Sequence, residues 1–203
     1  VPMVNKFLSM TNIQYDIVFV EQADEKPFNR AKLLNVGFDL CTNSDYFCFH
    51  DIDMLPISPD CDYSIVAGVC KMSYYISQFN FIPRPENELG GVTLIDKKSF
   101  LEVNGYSNNY WGWGVEDNDF ALRCATKNIP LSIRKGRYMS LSHKPNGDTY
   151  GGPPSLETVK NREYFHKIQS NPKELFLDGI STLKYKIKNT IKEKNFLLYQ
   201  VYL

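Results

Sequence analysis

The chain has 203 residues, 43% of them hydrophobic and 23% charged, and these shares are typical of a soluble globular protein with one substantial core. Its 23 lysines and arginines balance 23 aspartates and glutamates, so no net positive field favours nucleic acid as a partner. No apolar run approaches the length of a transmembrane helix, and no signal peptide is visible, although the chain opens on Val1-Pro2 without an initiator Met.

Hydrophobic periodicity divides the first half of the chain into helices and strands. Apolar residues at helical spacing predict helices, and runs of β-branched and aromatic residues predict buried strands. The predicted elements are the end of a helix at Asn5–Thr11, a strand at Tyr15–Val20, a helix at Asn29–Leu40, and strands at Tyr46–His50 and Tyr63–Val69.

The second half begins with Ser73–Glu88, which lacks periodicity and is predicted to be an excursion over the surface. The elements predicted after it are a strand at Gly91–Ile95, helices at Lys97–Val103 and from Asp119 to about Lys127, a strand at Leu131–Arg134, a mobile loop at His143–Pro154, a helix at Glu157–Gln169, and one or two edge strands within Leu183–Leu203. Strands that alternate with helices predict an α/β/α sandwich with a mostly parallel central sheet. Because no repeat or linker is present, we expect residues 1–203 to form a single domain.

The five cysteines lack the C-x-x-C spacing of a zinc site. Their odd number and scatter predict reduced, buried thiols rather than a disulfide framework.

The stretch Trp111–Asp119 combines the only two tryptophans of the chain with two glycines and three acids. Aromatic rings offer flat faces to sugars, and glycines let the backbone approach a ligand closely. The alternative is an acid-rich start of a helix, where carboxylates satisfy exposed N–H groups. That alternative leaves the paired Trp-Gly steps unexplained, so we predict a functional site here.

Asp51-Ile52-Asp53 follows the apolar run of the second strand. In an extended segment, side chains two positions apart point the same way, so both carboxylates would face one ligand. Hard oxygen donors beside a diphosphate suit Mg²⁺ or Mn²⁺. A turn acid followed by a helix cap is the alternative interpretation.

Three other groups have two interpretations each. Arg30, at the start of a helix, is either part of an anion site or an exposed first-turn residue. His143 is either a third metal ligand or an ordinary surface residue, whereas His50 is expected to pack away from the two carboxylates. The lysine series predicts a solvated edge strand, or else a surface for an anionic membrane or acceptor, and comprises Lys184, Lys186, Lys188, Lys192 and Lys194.

Four ordered motifs together resemble the β-1,4-galactosyltransferase family (glycosyltransferase family 7), and the match spans about Tyr15 to Tyr185. The motifs are Phe28–Phe38, His50–Pro56, Gly90-Gly91-Val92 and Asn108–Asp119, and Asp178-Gly179-Ile180 resembles the C-terminal stretch of the family. The resemblance implies a GT-A fold and an inverting, Mn²⁺-dependent transfer (Mg²⁺ is the alternative) of galactose or N-acetylgalactosamine from a UDP-sugar to a hydroxyl of a glycan or glycolipid.

The resemblance also implies roles for individual residues. Asp117 would be the catalytic base, and Glu116 would hold substrate hydroxyls. Trp113 would lie between donor and acceptor, and Asn118 would replace an acceptor-contacting carboxylate. The donor site would comprise Phe28, Arg30, Asp51, Asp53 and Gly91, and the metal ligands would be Asp53 and His143.

Several residues depart from the family pattern. The further metal ligand that the family carries shortly before its histidine is absent, because Ser140 and Leu141 occupy those positions. Glu88 stands where an apolar residue or Tyr normally discriminates between donor sugars, and the first strand of the family is missing. These departures, with the absence of an Asn-x-Ser/Thr acceptor, favour a bacterial-type cytoplasmic enzyme in peripheral contact with a membrane; the alternative is the Golgi lumen, if an N-terminal anchor was removed.

Two other functions fit parts of the pattern. A catalytically silent sugar-binding module would account for the weakened metal site. A phosphotransferase with Asp51 as nucleophile would account for an Asp-x-Asp after a buried strand, but it leaves the Trp-Gly steps without a role.

Overall fold

The computed structural model describes residues 2–142 and 153–203. The helices are α1 (Pro2–Leu8), α2 (Arg30–Leu40), α3 (Lys97–Glu102), α4 (Glu116–Thr126) and α5 (Leu156–Ser170). The strands are β1 (Val18–Gln22), β2 (Tyr46–His50), β3 (Met54–Pro56), β4 (Val69–Lys71), β5 (Tyr75–Ile76), β6 (Val92–Asp96), β7 (Leu131–Ile133), β8 (Arg137–Ser140), β9 (Lys186–Glu193) and β10 (Phe196–Tyr202). None of the described helices is long and apolar enough to cross a membrane.

The described strands form three small sheets, in the orders β1-β10-β9, β2-β6-β4-β7 and β3-β8-β5. The α/β class is confirmed, but the prediction of a mostly parallel sheet is wrong. β6 runs antiparallel to both of its neighbours, and only β4 with β7, β5 with β8, and β1 with β10 pair in parallel. The reason is that no α-helix forms between β4 and β6, so the chain returns antiparallel instead of making a helical crossover.

Most of the predicted elements are confirmed within a few residues. The helix at Asn29–Leu40, the strand at Tyr46–His50 and the helix from the acidic segment are present as α2, β2 and α4. The strand predicted at Tyr63–Val69 is wrong, because Asp62 accepts hydrogen bonds from the backbone and the hydroxyl of Ser64 and makes a local turn. β10 is also not an edge strand, since it lies between β1 and β9.

Two apolar clusters pack α2 against two of the sheets. Phe38 of α2 packs on Phe47 of β2 and on Phe100 of α3, at ring-centroid distances of 4.6 Å each. Leu33 and Val36, on another face of α2, pack against β10. α2 is thereby fixed between two sheets, and this places its first residue beside the end of β2. All five cysteines are free thiols, as predicted, and the prediction of burial is confirmed for Cys61, Cys70 and Cys124, whereas Cys41 and Cys48 are half-buried.

Candidate active site

The first turn of α2 carries the basic residue of the site. Asn29 is buried and caps the helix by accepting from the Lys32 N–H at 2.8 Å, while its amide donates to the Asn108 carbonyl at 2.9 Å. The cap therefore joins α2 to the loop before Trp111. Arg30 points to β2, and its Nε and Nη2 both lie 2.7 Å from Oδ1 of Asp51. Its third nitrogen, Nη1, is buried and has no hydrogen-bond partner among residues 2–142 and 153–203.

The acids Asp51 and Asp53 lie in a turn, and the prediction of an extended segment is wrong. The Met54 N–H donates to the Asp51 carbonyl at 3.1 Å and closes this turn, so the alternation of an extended strand does not apply. Asp51 contacts Arg30, whereas Oδ2 of Asp53 accepts from the Ser140 hydroxyl at 3.2 Å. The two carboxylates thus have different neighbours, although both remain at the end of β2.

The Trp-Gly steps form a loop whose backbone requires glycine. Gly112 and Gly114 have φ of 77° and 105°, values that L side chains rarely adopt. Two side chains of α5 hold this loop: the Thr158 hydroxyl donates to the Trp113 carbonyl at 2.9 Å, and the Asn161 amide donates to the carbonyls of both tryptophans. The ring of Trp113 is 58% exposed and is available to a ligand.

Glu116 and Asp117 begin α4 directly after this loop. Oε1 of Glu116 lies 3.6 Å from Nη1 of Arg30, so Arg30 connects the Asp51 turn with α4. Burial raises the pKa of Glu116, and the neighbouring charge of Asp117 raises it further. Burial also raises the pKa of Asp117, against the opposing effect of Arg30. Two carboxyls that share one poorly solvated space hold protons more tightly than exposed ones, as expected for groups that exchange protons with a substrate.

Two glycines between β5 and β6 make room for the site. A Cβ at Gly90 would lie 2.6 Å from Oδ2 of Asp117, so glycine allows this carboxylate its position. Gly91 has φ of 77°, and a Cβ there would lie 2.8 Å from the hydroxyl oxygen of Ser73. The Gly91 carbonyl accepts from the Asp51 N–H at 2.9 Å, which links this segment to the turn after β2.

The remaining predicted site residues lie around this centre. The Phe28 side chain is 47% exposed next to Asn29, and its carbonyl accepts from the Gly112 N–H at 2.7 Å. The Asn118 N–H donates to Oδ1 of Asp117 at 2.9 Å. The His50 ring lies between Tyr63 and the turn: its Nε2 is 3.1 Å from the Tyr63 hydroxyl, and its Nδ1 is 2.9 Å from the Asp51 carbonyl oxygen.

The predicted metal site is described only in part, because His143 and residues 144–152 lie outside the described residues. Asp53 stays a candidate ligand. Ser140 and Leu141, which replace the expected further ligand, bind Asp53 instead: the hydroxyl contacts its carboxylate, and the Leu141 N–H donates to its carbonyl at 2.8 Å. Within residues 2–142 and 153–203, no cluster of three or more His, Cys, Asp or Glu side chains forms a metal centre.

Sequence reasoning missed a second group beside Asp117. Lys71 is buried at the end of β4, and its ammonium donates to the carbonyls of Pro85 and Glu88 at 2.8 and 2.5 Å. Burial lowers the pKa of Lys71 to about 8. Glu88 forms a bidentate ion pair with Arg84, in which Nε and Nη2 of Arg84 donate to the two carboxylate oxygens at 3.1 and 3.0 Å. The only sequence signal was the charge at position 88, because the partners of Glu88 and Lys71 depend on how the segment after β4 folds back.

A buried ion cluster supports the site from behind. Asp119 accepts from Arg123 at 2.6 Å and from the Tyr110 hydroxyl at 3.0 Å. Arg123 also donates to Oδ1 of Asp178 at 2.9 Å. The other oxygen of Asp178 accepts from the Ser107 hydroxyl and from the Asn108 N–H, at 2.8 and 2.7 Å. The segment near Asp178 is therefore tied to the loop that leads into the Trp-Gly steps.

Comparison with protein families gives two matches. Residues 1–65 match the model described as the N-terminal region of glycosyl transferase group 7, and residues 70–144 match the model described as the N-terminal domain of galactosyltransferase.

Among curated proteins, the chain is 32% identical over 200 residues to beta-1,4-galactosyltransferase 2 of Cricetulus griseus, covering 95% of this chain and 52% of the relative. It is 32% identical over 190 residues to beta-1,4-galactosyltransferase 1 of Bos taurus, covering 91% of this chain and 45% of the relative. The chain spans about half the length of the curated relatives it matches.

Two solved structures of a Drosophila enzyme share the fold. The catalytic domain of beta-1,4-galactosyltransferase 7 in complex with xylobiose has a TM-score of 0.81 at 24% identity, covering 100% of this chain and 86% of that chain. A mutant of that enzyme in complex with manganese, UDP-Gal and xylobiose has a TM-score of 0.71 at 25% identity, with the same coverage. The α/β fold of the present chain is therefore of the GT-A type.

Proposed function

Because the chain belongs to glycosyltransferase family 7, the family of the β-1,4-galactosyltransferases, we propose that it transfers a hexose from a UDP-sugar to a hydroxyl of a glycan acceptor. The observation that carries the proposal is the position of Arg30. Its guanidinium joins the Asp51 turn to the first turn of α4, so an anion-binding group and two proton-holding carboxyls share one site. Such a combination suits a reaction in which a phosphate leaves and a hydroxyl loses its proton.

Asp117 acts as the base in this proposal. Its carboxylate lies against Gly90 and next to Glu116, and burial raises its pKa toward the range in which a carboxylate accepts a proton efficiently. Asp117 takes the proton from the acceptor hydroxyl as the hydroxyl oxygen attacks the anomeric carbon. Because the attack comes from the side opposite to the departing UDP, the configuration at that carbon inverts.

The donor is held by the end of β2 and the start of α2. Nη1 of Arg30 is a buried N–H donor that forms no hydrogen bond within the described residues, and an anionic diphosphate would satisfy it. Asp51, Gly91 and the exposed face of Phe28 complete the donor side. Asp53 offers the hard oxygen that Mn²⁺ or Mg²⁺ prefers, with His143 as the second proposed ligand. The metal, when bound, neutralises negative charge on the leaving diphosphate.

The acceptor side is formed by Trp113, Glu116 and Asn118. The exposed side chain of Trp113 provides a flat apolar surface for a sugar. The carboxyl of Glu116 accepts hydrogen bonds from sugar hydroxyls when it is ionised and can donate one when it is protonated. The mutant Drosophila enzyme was crystallised with UDP-Gal, manganese and xylobiose, which supports a galactose donor and a sugar acceptor here. The ion pair of Arg84 and Glu88 lies next to Lys71, at the position that discriminates between donors in the family, so UDP-N-acetylgalactosamine is the other donor to test.

The test is the release of UDP from a panel of UDP-sugars with Mn²⁺, in the presence and absence of simple glycosides. We expect acceptor-dependent release with UDP-galactose or UDP-N-acetylgalactosamine, and we expect EDTA to abolish it. No acceptor-dependent release from any UDP-sugar would overturn the proposal. Binding of UDP-sugars without turnover would favour the silent sugar-binding module instead.

A further inference from the structure

The last hairpin of the chain, β9 and β10, has an unusual charge and exposure. Residues 184–194 contain five lysines and one glutamate, a net charge of about +4 in a chain whose overall net charge is zero. All eight residues of β9 are exposed, and β9 is the edge of its sheet. A net positive charge is therefore concentrated on this edge of the sheet.

The sheet that contains this hairpin has one covered face and one open face. Val20 and Tyr199 are paired neighbours that pack with α2 on the covered face. Side chains alternate along a strand, so the next row, Phe19–Leu198–Ile191, points to the opposite face. Within the described part of the chain, these three residues belong to none of the buried apolar clusters.

The open face carries aromatic and aliphatic side chains with lysines around them. Phe19 and Phe196 meet edge to face, with ring centroids 5.3 Å apart. Ile191 is 37% and Tyr202 39% exposed. The ammonium of Lys188 lies 5.5 Å from the centre of the Tyr202 ring, and Lys186 is the strand partner of Tyr202. Cations thus stand directly beside an apolar, aromatic surface.

We propose that this open face docks on the surface of an anionic lipid bilayer. Lysines pair with lipid phosphates, while an exposed aliphatic side chain and a tyrosine ring enter the boundary between headgroups and acyl chains. Lysines that only protect a sheet edge from pairing need no apolar neighbours. A single-stranded nucleic acid would need rings exposed for stacking, whereas Phe19 and Phe196 are half-buried against each other and the exposed Ile191 is aliphatic. The proposal rests on the hairpin alone and is independent of the glycosyltransferase site.

The test is co-sedimentation of the whole chain with vesicles of phosphatidylcholine, with and without phosphatidylglycerol. We expect binding only to the anionic vesicles, and a decrease on addition of salt. Reversing two charges, Lys186→Glu with Lys188→Glu, should weaken binding roughly tenfold or more. Ile191→Ser should weaken it by a smaller factor, because it removes only the apolar contribution. The matched control is Lys98→Glu with Lys160→Glu, which reverses two exposed lysines outside the hairpin and should leave binding unchanged.

Thermal unfolding of each variant establishes that it is folded, and the binding readout does not depend on turnover. Absence of binding to anionic vesicles, or equal losses in the hairpin and control variants, would overturn the proposal. Binding to a soluble polyanion such as heparin would also overturn the proposal, if it is as strong as binding to vesicles and is unaffected by Ile191→Ser. Charge alone would then account for the binding.

Discussion

Two groups of charged side chains meet at the first two turns of α4, and they differ in how completely their charges are matched. Behind the site, Asp119 and Arg123 are buried and each has short hydrogen bonds, to Tyr110, to Asp178 and to each other. In the site, Oε1 of Glu116 lies 3.6 Å from Nη1 of Arg30, and this nitrogen forms no hydrogen bond with any described residue.

The difference separates charges that stabilise the fold from charges that await a substrate. A buried charge that is fully hydrogen-bonded is costly to disturb, because removing one partner leaves the other uncompensated. A buried charge with an open hydrogen-bonding position is available to a ligand, and its pKa responds to its neighbours. Mutations should therefore affect stability in the first group and chemistry in the second.

The largest expected effect is the loss of Arg123. Arg123→Met leaves the buried Asp119 and the half-buried Asp178 without a cation, and we expect the free energy of unfolding to fall by about 3–5 kcal/mol. Urea unfolding measures the change, and the exposed Arg162 of α5 provides a matched control as Arg162→Met. A loss below about 1 kcal/mol would mean that the cluster is not structural.

A smaller effect, on turnover rather than stability, is expected at Gly90. Gly90→Ala places a Cβ against Oδ2 of Asp117 and displaces that carboxylate, so turnover should fall about tenfold to a hundredfold with little change in unfolding. Gly37→Ala is the control, because its Cβ meets only Val20 Cγ2 at an ordinary 3.5 Å. Equal turnover in the two variants would show that the position of Asp117 is not critical.

The pH dependence of stability gives a sharper view of the site. Because burial raises the pKa of Glu116, the folded state holds a proton that the unfolded state releases at lower pH, and stability falls as pH rises between the unfolded and folded pKa values. Glu116→Gln removes this loss. The unfolding temperature of Glu116→Gln minus that of wild type should therefore increase from about pH 5 to about pH 8. The increase should be about 2–4 °C for each kcal/mol of stability that the wild type loses over this range. A constant offset across this range would contradict the raised pKa.

The smallest effect is expected at Tyr106, whose buried hydroxyl has no hydrogen-bond partner in the part of the chain that the structure describes. The ring stacks on Phe120 at 3.9 Å, and Phe preserves this contact. Tyr106→Phe removes an unsatisfied polar group, so the free energy of unfolding should stay the same or rise by less than about 1 kcal/mol. A clear decrease in chemical unfolding would show that the hydroxyl has a partner in solution.

Much of the fold could be predicted from local patterns. α2, β2 and α4 follow from apolar periodicity and from capping residues such as Asn29, which act within a few positions of the chain. Strand direction could not be predicted from local patterns, because it depends on whether the segment after β4 forms a helical crossover. That segment has no periodic signal. The same segment positions Lys71 and the ion pair of Arg84 with Glu88, so Lys71 and the partner of Glu88 were missed together with the topology.

The site was predictable in composition but not in geometry. The acids, the tryptophans and Arg30 were found from their types and spacing, and the structure brings Arg30, Asp51 and Glu116 together. The turn at Asp51–Asp53 was missed, because a backbone hydrogen bond from Met54 reorients two carboxylates that an extended strand would align. The buried cluster around Asp178 was also missed, since it joins residues about 55 to 70 positions apart in the chain.

The most direct test of the distinction between stabilising and catalytic charges compares Asp117→Asn with Asp119→Asn. UDP release and the unfolding temperature are measured for both variants. We expect Asp117→Asn to unfold like wild type and to lose about 10²- to 10⁴-fold in turnover, because only the base is removed. Asp119→Asn should unfold at a lower temperature yet keep turnover at temperatures where it is folded. If instead Asp119→Asn abolished transfer in a stable protein, while Asp117→Asn kept it, the assignment of the two groups would be reversed.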